Sequence, residues 1–203
     1  MNKYINLVAK FHNVSSRLDT RKVLFGLGLV ASPITSRELS EFWGVNLRDL
    51  SSILRRLSRK GYIVRRRRMY LLTDKGLSMV RRKLYFRIHR IIHGGRKLRK
   101  LRFFKRKGEY TGIEVGSLKE LVEVIRIINP DSLKYHVEKH DLQRWIKEEL
   151  GDEYLYFIIE NKLVDIGEAY DLREYLYEVL SNRLNNLMVL EKKLLGMRGQ
   201  HNT

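Results

Sequence analysis

Apolar residues recur along most of this chain at three- and four-residue steps, the period of an α-helix. Thr20 to Ala31 places Val23, Leu24, Leu27, Val30 and Ala31 on one face and stops before Ser32-Pro33, where proline drives the preceding residue out of the helical region. A second helix is expected to start at Thr35-Ser36-Arg37-Glu38, a reciprocal capping box with Ile34 placed to staple onto Leu39, and to end at Gly44. Asn46 caps a third, with Leu47, Leu50, Ile53, Leu54 and Leu57 on one face and Arg48, Ser51, Ser52, Arg55 and Arg59 on the other. The pattern then changes. Tyr62-Ile63-Val64 and Met69 to Thr73 read as two strands of a hairpin joined by Arg65, Arg66, Arg67 and Arg68. A fourth helix follows on Leu77, Val80, Leu84, Ile88 and Ile91, broken by Gly94-Gly95.

From residue 113 the helical period returns. Ser117 with Glu120 forms another capping box ahead of Leu121, Val122, Val124, Ile125 and Ile128, and Asn129-Pro130 closes that helix. Tyr170 to Leu195 carries Leu172, Leu176, Val179, Leu180, Leu184, Leu187, Leu190 and Leu194 on one stripe, a helix of roughly 39 Å. That stripe either folds back on its own domain or pairs with a second copy of the chain, a possible homodimer contact. The tail Gly196 to Thr203 is expected to fray. The expected fold is mainly α with a small β-hairpin, in three parts: residues 1–93, a basic linker or arm at 94–112, and an acidic helical domain at 113–203 with a long amphipathic C-terminal helix.

Charge divides the chain more sharply than hydropathy does. Residues 1–111 hold 29 Lys+Arg against 6 Asp+Glu, and residues 112–203 hold 12 against 17. Like charges repel and destabilise a compact state, so an excess of this size points to a polyanionic partner, with nucleic acid the leading candidate. No cysteine is present, which excludes disulfides, thiolate zinc sites and a cysteine nucleophile. The longest apolar run, Val23 to Ala31, falls far short of the ~20 residues of a membrane span. The N-terminal residues lack the apolar core of a secretory signal, so a cytoplasmic, nucleoid-associated protein without a membrane partner is expected.

The third helix has the chemistry of a major-groove reader: guanidinium forks for guanine or phosphate, and serines small enough for close approach. Four arginines at a hairpin tip repel one another unless each meets a phosphate and releases a counterion. Arg96, Lys97, Arg99 and Lys100 open a segment reaching Lys107 that extends the basic surface, and its Phe103 and Phe104 offer rings for unpaired bases. The same segment admits a short amphipathic helix against an acidic protein or anionic membrane surface.

The order helix, capped helix, arginine-faced helix, Gly-Tyr-Ile-Val, basic hairpin and Leu72-Thr73-Asp74-Lys75-Gly76 resembles the winged helix-turn-helix family, particularly archaeal and bacterial transcription regulators. The resemblance covers about residues 18–92. It implies a recognition helix from Asn46 to Lys60 and a wing tip at Arg65 to Arg68. Tyr135-His136, then His140-Asp141-Leu142-Gln143-Arg144-Trp145-Ile146 and Gly151-Asp152, resembles a small helical domain of archaea and bacteria to which no chemistry attaches; His140 and Leu142 depart from its Asn and Phe. The winged-helix resemblance, with its arginine-faced helix and arginine-tipped hairpin, implies a DNA-binding transcriptional regulator that prefers double-stranded DNA. The alternatives are an RNA-binding or ribosome-associated factor, or a nucleoid-organising protein.

Other chemistry is thin. His136 with His140, and His89 with His93, have the four-residue spacing that sets two imidazoles on one helical face; Glu138, Asp141 and Asp152 are candidate further ligands for the first pair, but exposed or hydrogen-bonded histidines are far commoner and neither pair is assigned a metal. Gly26-Leu-Gly28-Leu-Val-Ala31 matches the dinucleotide fingerprint only in letters, because that motif works between a strand and a helix. No cofactor and no catalytic residues are expected, and the protein is read as a non-enzyme.

Overall fold

The computed structural model describes residues 19–163 and 172–197; the N-terminal segment, the expected helix start at Tyr170 and the tail beyond Met197 lie outside the described residues. The chain is mainly helical, with a small antiparallel sheet and a long C-terminal helix. It divides into two compact units that change over between Leu84 and Tyr85. The expected boundary at Gly94-Gly95 thus falls about ten residues late, because the second half of the fourth helix belongs with the C-terminal unit: Arg90, for example, donates to the Glu149 carbonyl at 2.8 Å.

In the first unit, helix α1 (Thr20–Val30) is capped by the Asp19 carboxylate, which accepts from the Arg21 amide, and stops at Ala31 in the left-handed region. Its two glycines are packing positions. A Cβ built on Gly26 would lie 2.4 Å from the Trp43 ring and one on Gly28 would lie 2.5 Å from Leu84. Both sit inside a helix and not at a strand-to-helix turn, so they lack the geometry of a dinucleotide cradle.

Strand β1 (Ile34–Thr35) leads into α2 (Ser36–Trp43), where the capping box forms as read: Thr35 Oγ1 accepts from the Glu38 amide and the Glu38 carboxylate accepts from the Thr35 amide. Gly44 takes the left-handed cap (φ 60°) and Asn46 caps α3 (Leu47–Arg59), which buries Leu50, Leu54 and Leu57. Strands β2 (Ile63–Arg66) and β3 (Met69–Leu72) form the hairpin, with Val64 opposite Leu71 and Arg65 opposite Tyr70. Sequence patterning missed β1, whose Ile34 pairs with Tyr70 and completes an antiparallel sheet in the order β1-β3-β2.

The Leu-Thr-x-x-Gly segment turns out to be a joint. Thr73 Oγ1 donates to the Gly61 carbonyl and accepts from the Gly76 amide at the start of α4 (Asp74–His93). Gly76 presses so closely on the Tyr62 carbonyl that a Cβ there would lie 2.0 Å from its oxygen.

In the second unit, residues 94–112 are no free arm. Strands β4 (Leu101–Arg106) and β5 (Glu109–Val115) make a hairpin turned at Lys107-Gly108, burying Leu101, Phe103 and Val115. Alternation of apolar and basic residues drives this: Leu101 and Phe103 point one way, Arg102 the other. Helix α5 (Leu118–Ile125) starts on the Ser117 cap, α6 (Pro130–Glu138) on Asn129, and the short α7 (Asp141–Trp145) runs into a π-helical turn at Ile146–Leu150 closed by left-handed Gly151. Helices α8 (Glu153–Leu163) and α9 (Leu172–Gly196) complete the unit.

The α9 stripe folds back, burying Leu176, Leu180, Leu187 and Leu194 within its own unit. The residues of the second resemblance are fasteners. His136 Nε2 accepts from the Phe104 amide at 2.8 Å, Trp145 Nε1 donates to the Arg99 carbonyl at 2.7 Å, and Asp152 is buried against Arg183.

Candidate nucleic-acid interface

Helix α3 sorts its side chains as the apolar pattern requires. Arg48, Ser52, Arg55 and Arg59 follow one another at four-, three- and four-residue steps, and all are exposed on the side away from Leu50, Leu54 and Leu57. Ser51 sits at the edge of this face and is half-buried. Arg56, which the sequence reading passed over, is also exposed and widens the cationic face. The Asn46 cap and the Gly44 turn set the start of α3 against α2.

The hairpin tip carries a conformational cost. Arg66 pairs with Met69, so Arg67 and Arg68 are the two central residues of the turn, and both lie in the left-handed region at φ 47° and 71°. A two-residue turn matching strand twist needs that backbone and favours Asn-Gly; a residue with a Cβ gives up about 1 kcal/mol or more there. Arg65 lies on β2 with its guanidinium 5.9 Å from the Tyr70 ring, and Arg66 is exposed beside the turn.

Acids do little to offset these cations. Residues 19–84 contain 16 Lys+Arg and 5 Asp+Glu. Asp19 and Glu38 serve as helix caps, and Asp49 and Asp74 lie in the first turns of α3 and α4, where a carboxylate meets the positive end of the helix dipole. Among the described residues, none of Arg48, Arg55, Arg59, Arg65, Arg66, Arg67 and Arg68 has a carboxylate partner within ion-pair distance.

The second unit treats its basic residues differently. Arg99 Nε lies 2.8 Å from Glu149, Lys100 Nζ lies 2.6 Å from Glu114, and Arg102 and Arg106 pair with Glu114 and Glu109. The hydrogen bond and charge of Lys100 hold the Glu114 carboxyl below its ordinary range, and the same bond raises Lys100. Arg96 and Lys97 stay exposed in the turn after α4. Phe103 is buried, so it offers no ring to a base; Phe104 is half-buried and packs at a tilt against the Tyr110 and His136 rings. A groove of about 480 Å³ beside this hairpin is lined by Arg99, Lys100 and Arg144 but also by Asp141, Glu148 and Glu149.

His136 sits at the edge of that groove with its tautomer set by its neighbours. Because Nε2 accepts the Phe104 amide proton, the ring proton belongs on Nδ1, which lies 3.3 Å from an Asp141 carboxylate oxygen. Burial pushes its pKa down, against the pull of Asp141.

No helix among the described residues is long and apolar enough to cross a membrane. Comparison with protein-family models, with curated proteins and with solved structures finds no match to this chain.

Proposed function

We propose that the first unit is a winged helix-turn-helix that binds double-stranded DNA, and that the protein is a transcriptional regulator. Helix α3 enters the major groove with Arg48, Ser52, Arg55 and Arg59, and Arg65 to Arg68 grip the flanking backbone or minor groove. Three features support this reading: the element order, with the α2-turn-α3 pair flanked in sequence by the strands of a three-stranded β1-β3-β2 sheet; the exposed arginine face; and the hairpin tip. The observation that carries it is the last. Two arginines occupy left-handed turn positions that suit glycine, with no carboxylate partner among the described residues, and such local strain is characteristic of functional sites.

Replacing Arg66 and Arg67 with alanine tests the proposal on the full chain. Loss of those contacts lowers duplex affinity and reduces the slope of log K against log salt by about two. An unchanged slope removes the wing assignment. Competition between duplex DNA and structured RNA at physiological salt separates DNA from RNA recognition, because at low salt any strongly basic surface binds both. Selection from a random DNA pool then distinguishes a regulator, which enriches a site, from a nucleoid-organising protein, which does not.

A further inference from the structure

The second unit brings together a histidine pair and a carboxylate that sequence spacing left apart. His89 and His93 stand one turn apart on α4, with ring centroids 4.6 Å from each other. Glu191, from α9, reaches both: its Oε1 lies 2.7 Å from His89 Nδ1 and its Oε2 lies 3.2 Å from His93 Nε2. One ligand atom from each of the three residues lies within 4.8 Å of the others. From the juxtaposition of His89, His93 and Glu191 we infer a binding site for a divalent transition metal, zinc being the reference ion, that bridges α4 and α9.

The donor set selects the ion. Two imidazoles and one carboxylate suit zinc, nickel, cobalt or ferrous iron and offer little to calcium or magnesium, which take oxygen ligands. Three protein ligands leave at least one position for water, the arrangement of an open zinc site. Around a metal with bonds of about 2.1 Å, ligand atoms stand roughly 3.0–3.4 Å apart; the 3.2 Å His93–Glu191 contact falls in this range, and the 2.7 Å His89–Glu191 contact, made through the other carboxylate oxygen, has to open by a few tenths of an ångström. The third edge, between the two imidazole nitrogens, is within 4.8 Å.

Access and placement fit as well. The histidine side chains are 49% and 44% exposed, so an ion enters from solvent, while Glu191 is only 12% exposed and fixed between them. Tyr85 stacks on the His89 ring at 5.6 Å and restrains it. The metal takes the place of the direct His89–Glu191 and His93–Glu191 contacts, and it ties two helices far apart in sequence.

Titration of the full chain, untagged and freed of metal by chelation, with ZnCl2 tests this site. One equivalent of zinc is taken up in calorimetry at micromolar concentration, melting temperature rises to a plateau, and Co2+ gives visible ligand-field bands of a nitrogen-containing site. His93→Gln and Glu191→Gln, with far-ultraviolet dichroism matching the parent, each weaken uptake at least tenfold, whereas His140→Gln leaves it unchanged. Absence of uptake, or uptake that survives in the folded His89→Gln/His93→Gln protein, overturns the assignment.

Discussion

Arg183 and Asp152 form a two-pronged ion pair in the interior of the second unit. Arg183 donates from Nε to Oδ2 and from Nη2 to Oδ1, each at 2.8 Å, and the two side chains are 2% and 1% exposed. Asp152 has a second task, since Oδ1 also accepts the Leu155 amide at the start of α8. The guanidinium lies 5.2 Å from the Tyr154 ring centroid. One carboxylate therefore begins α8 and anchors α9.

Removing one side of this pair strands the other. Asp152→Asn keeps the shape but leaves a buried cation without its counter-charge, for an expected loss of about 3–5 kcal/mol. Replacing both residues with apolar groups of similar volume recovers most of that loss. Urea unfolding of the full chain, compared between the parent, Asp152→Asn and the doubly apolar variant, measures the difference.

Gly76→Ala is expected to destabilise the first unit by about 2–3 kcal/mol, because the new methyl meets the Tyr62 carbonyl and that backbone also accepts the Thr73 amide. Gly28→Ala is expected to cost less, since the nearest atom is a Leu84 methyl that can rotate away. Equal shifts in melting temperature for the two variants would count against the joint described for Thr73 and Gly76.

Arg67→Asn with Arg68→Gly separates folding from binding. The pair relieves the left-handed torsions and is expected to raise stability by about 1–2 kcal/mol. It also deletes two cations, so duplex affinity falls and the salt slope drops by about two. A variant that binds as tightly as the parent would show that the turn arginines meet no phosphate.

Stability should fall on the acid side through His136. Its pKa in the folded chain lies below the ordinary value of 6.5, with burial the leading cause, so the unfolded chain takes up a proton the folded one resists. The contribution of the neutral ring is whole above pH 6.5 and is lost as pH falls through the lowered folded value. Protonation of Nε2 also sets an N–H against the Phe104 amide. Urea midpoints measured from about pH 5 to 8 should slope less in His136→Gln than in the parent.

Much of the first unit was legible because its signals are local. Thr35 with Glu38, Gly44, Asn46 and the Leu50-Leu54-Leu57 stripe each act within a turn or two of helix. The segment around Leu101 and Phe103 was misread because its period of two is short and its high charge suggested solvent. Long-range pairings left no local trace. Arg183 falls among the leucines of α9 with nothing in its own helix to mark its partner 31 residues back, and Glu191 meets His89 across 102 residues.

The ion pairs of the β4–β5 hairpin have a consequence for how the molecule meets a charged polymer. A phosphate approaching Lys100 or Arg99 has to displace Glu114 or Glu149, so much of the apparent positive charge there is already spoken for. On the proposed DNA-binding reading, ionic-strength sensitivity among the described residues should then originate chiefly in residues 19–84, a property of one unit's surface and not of the total charge written in the composition.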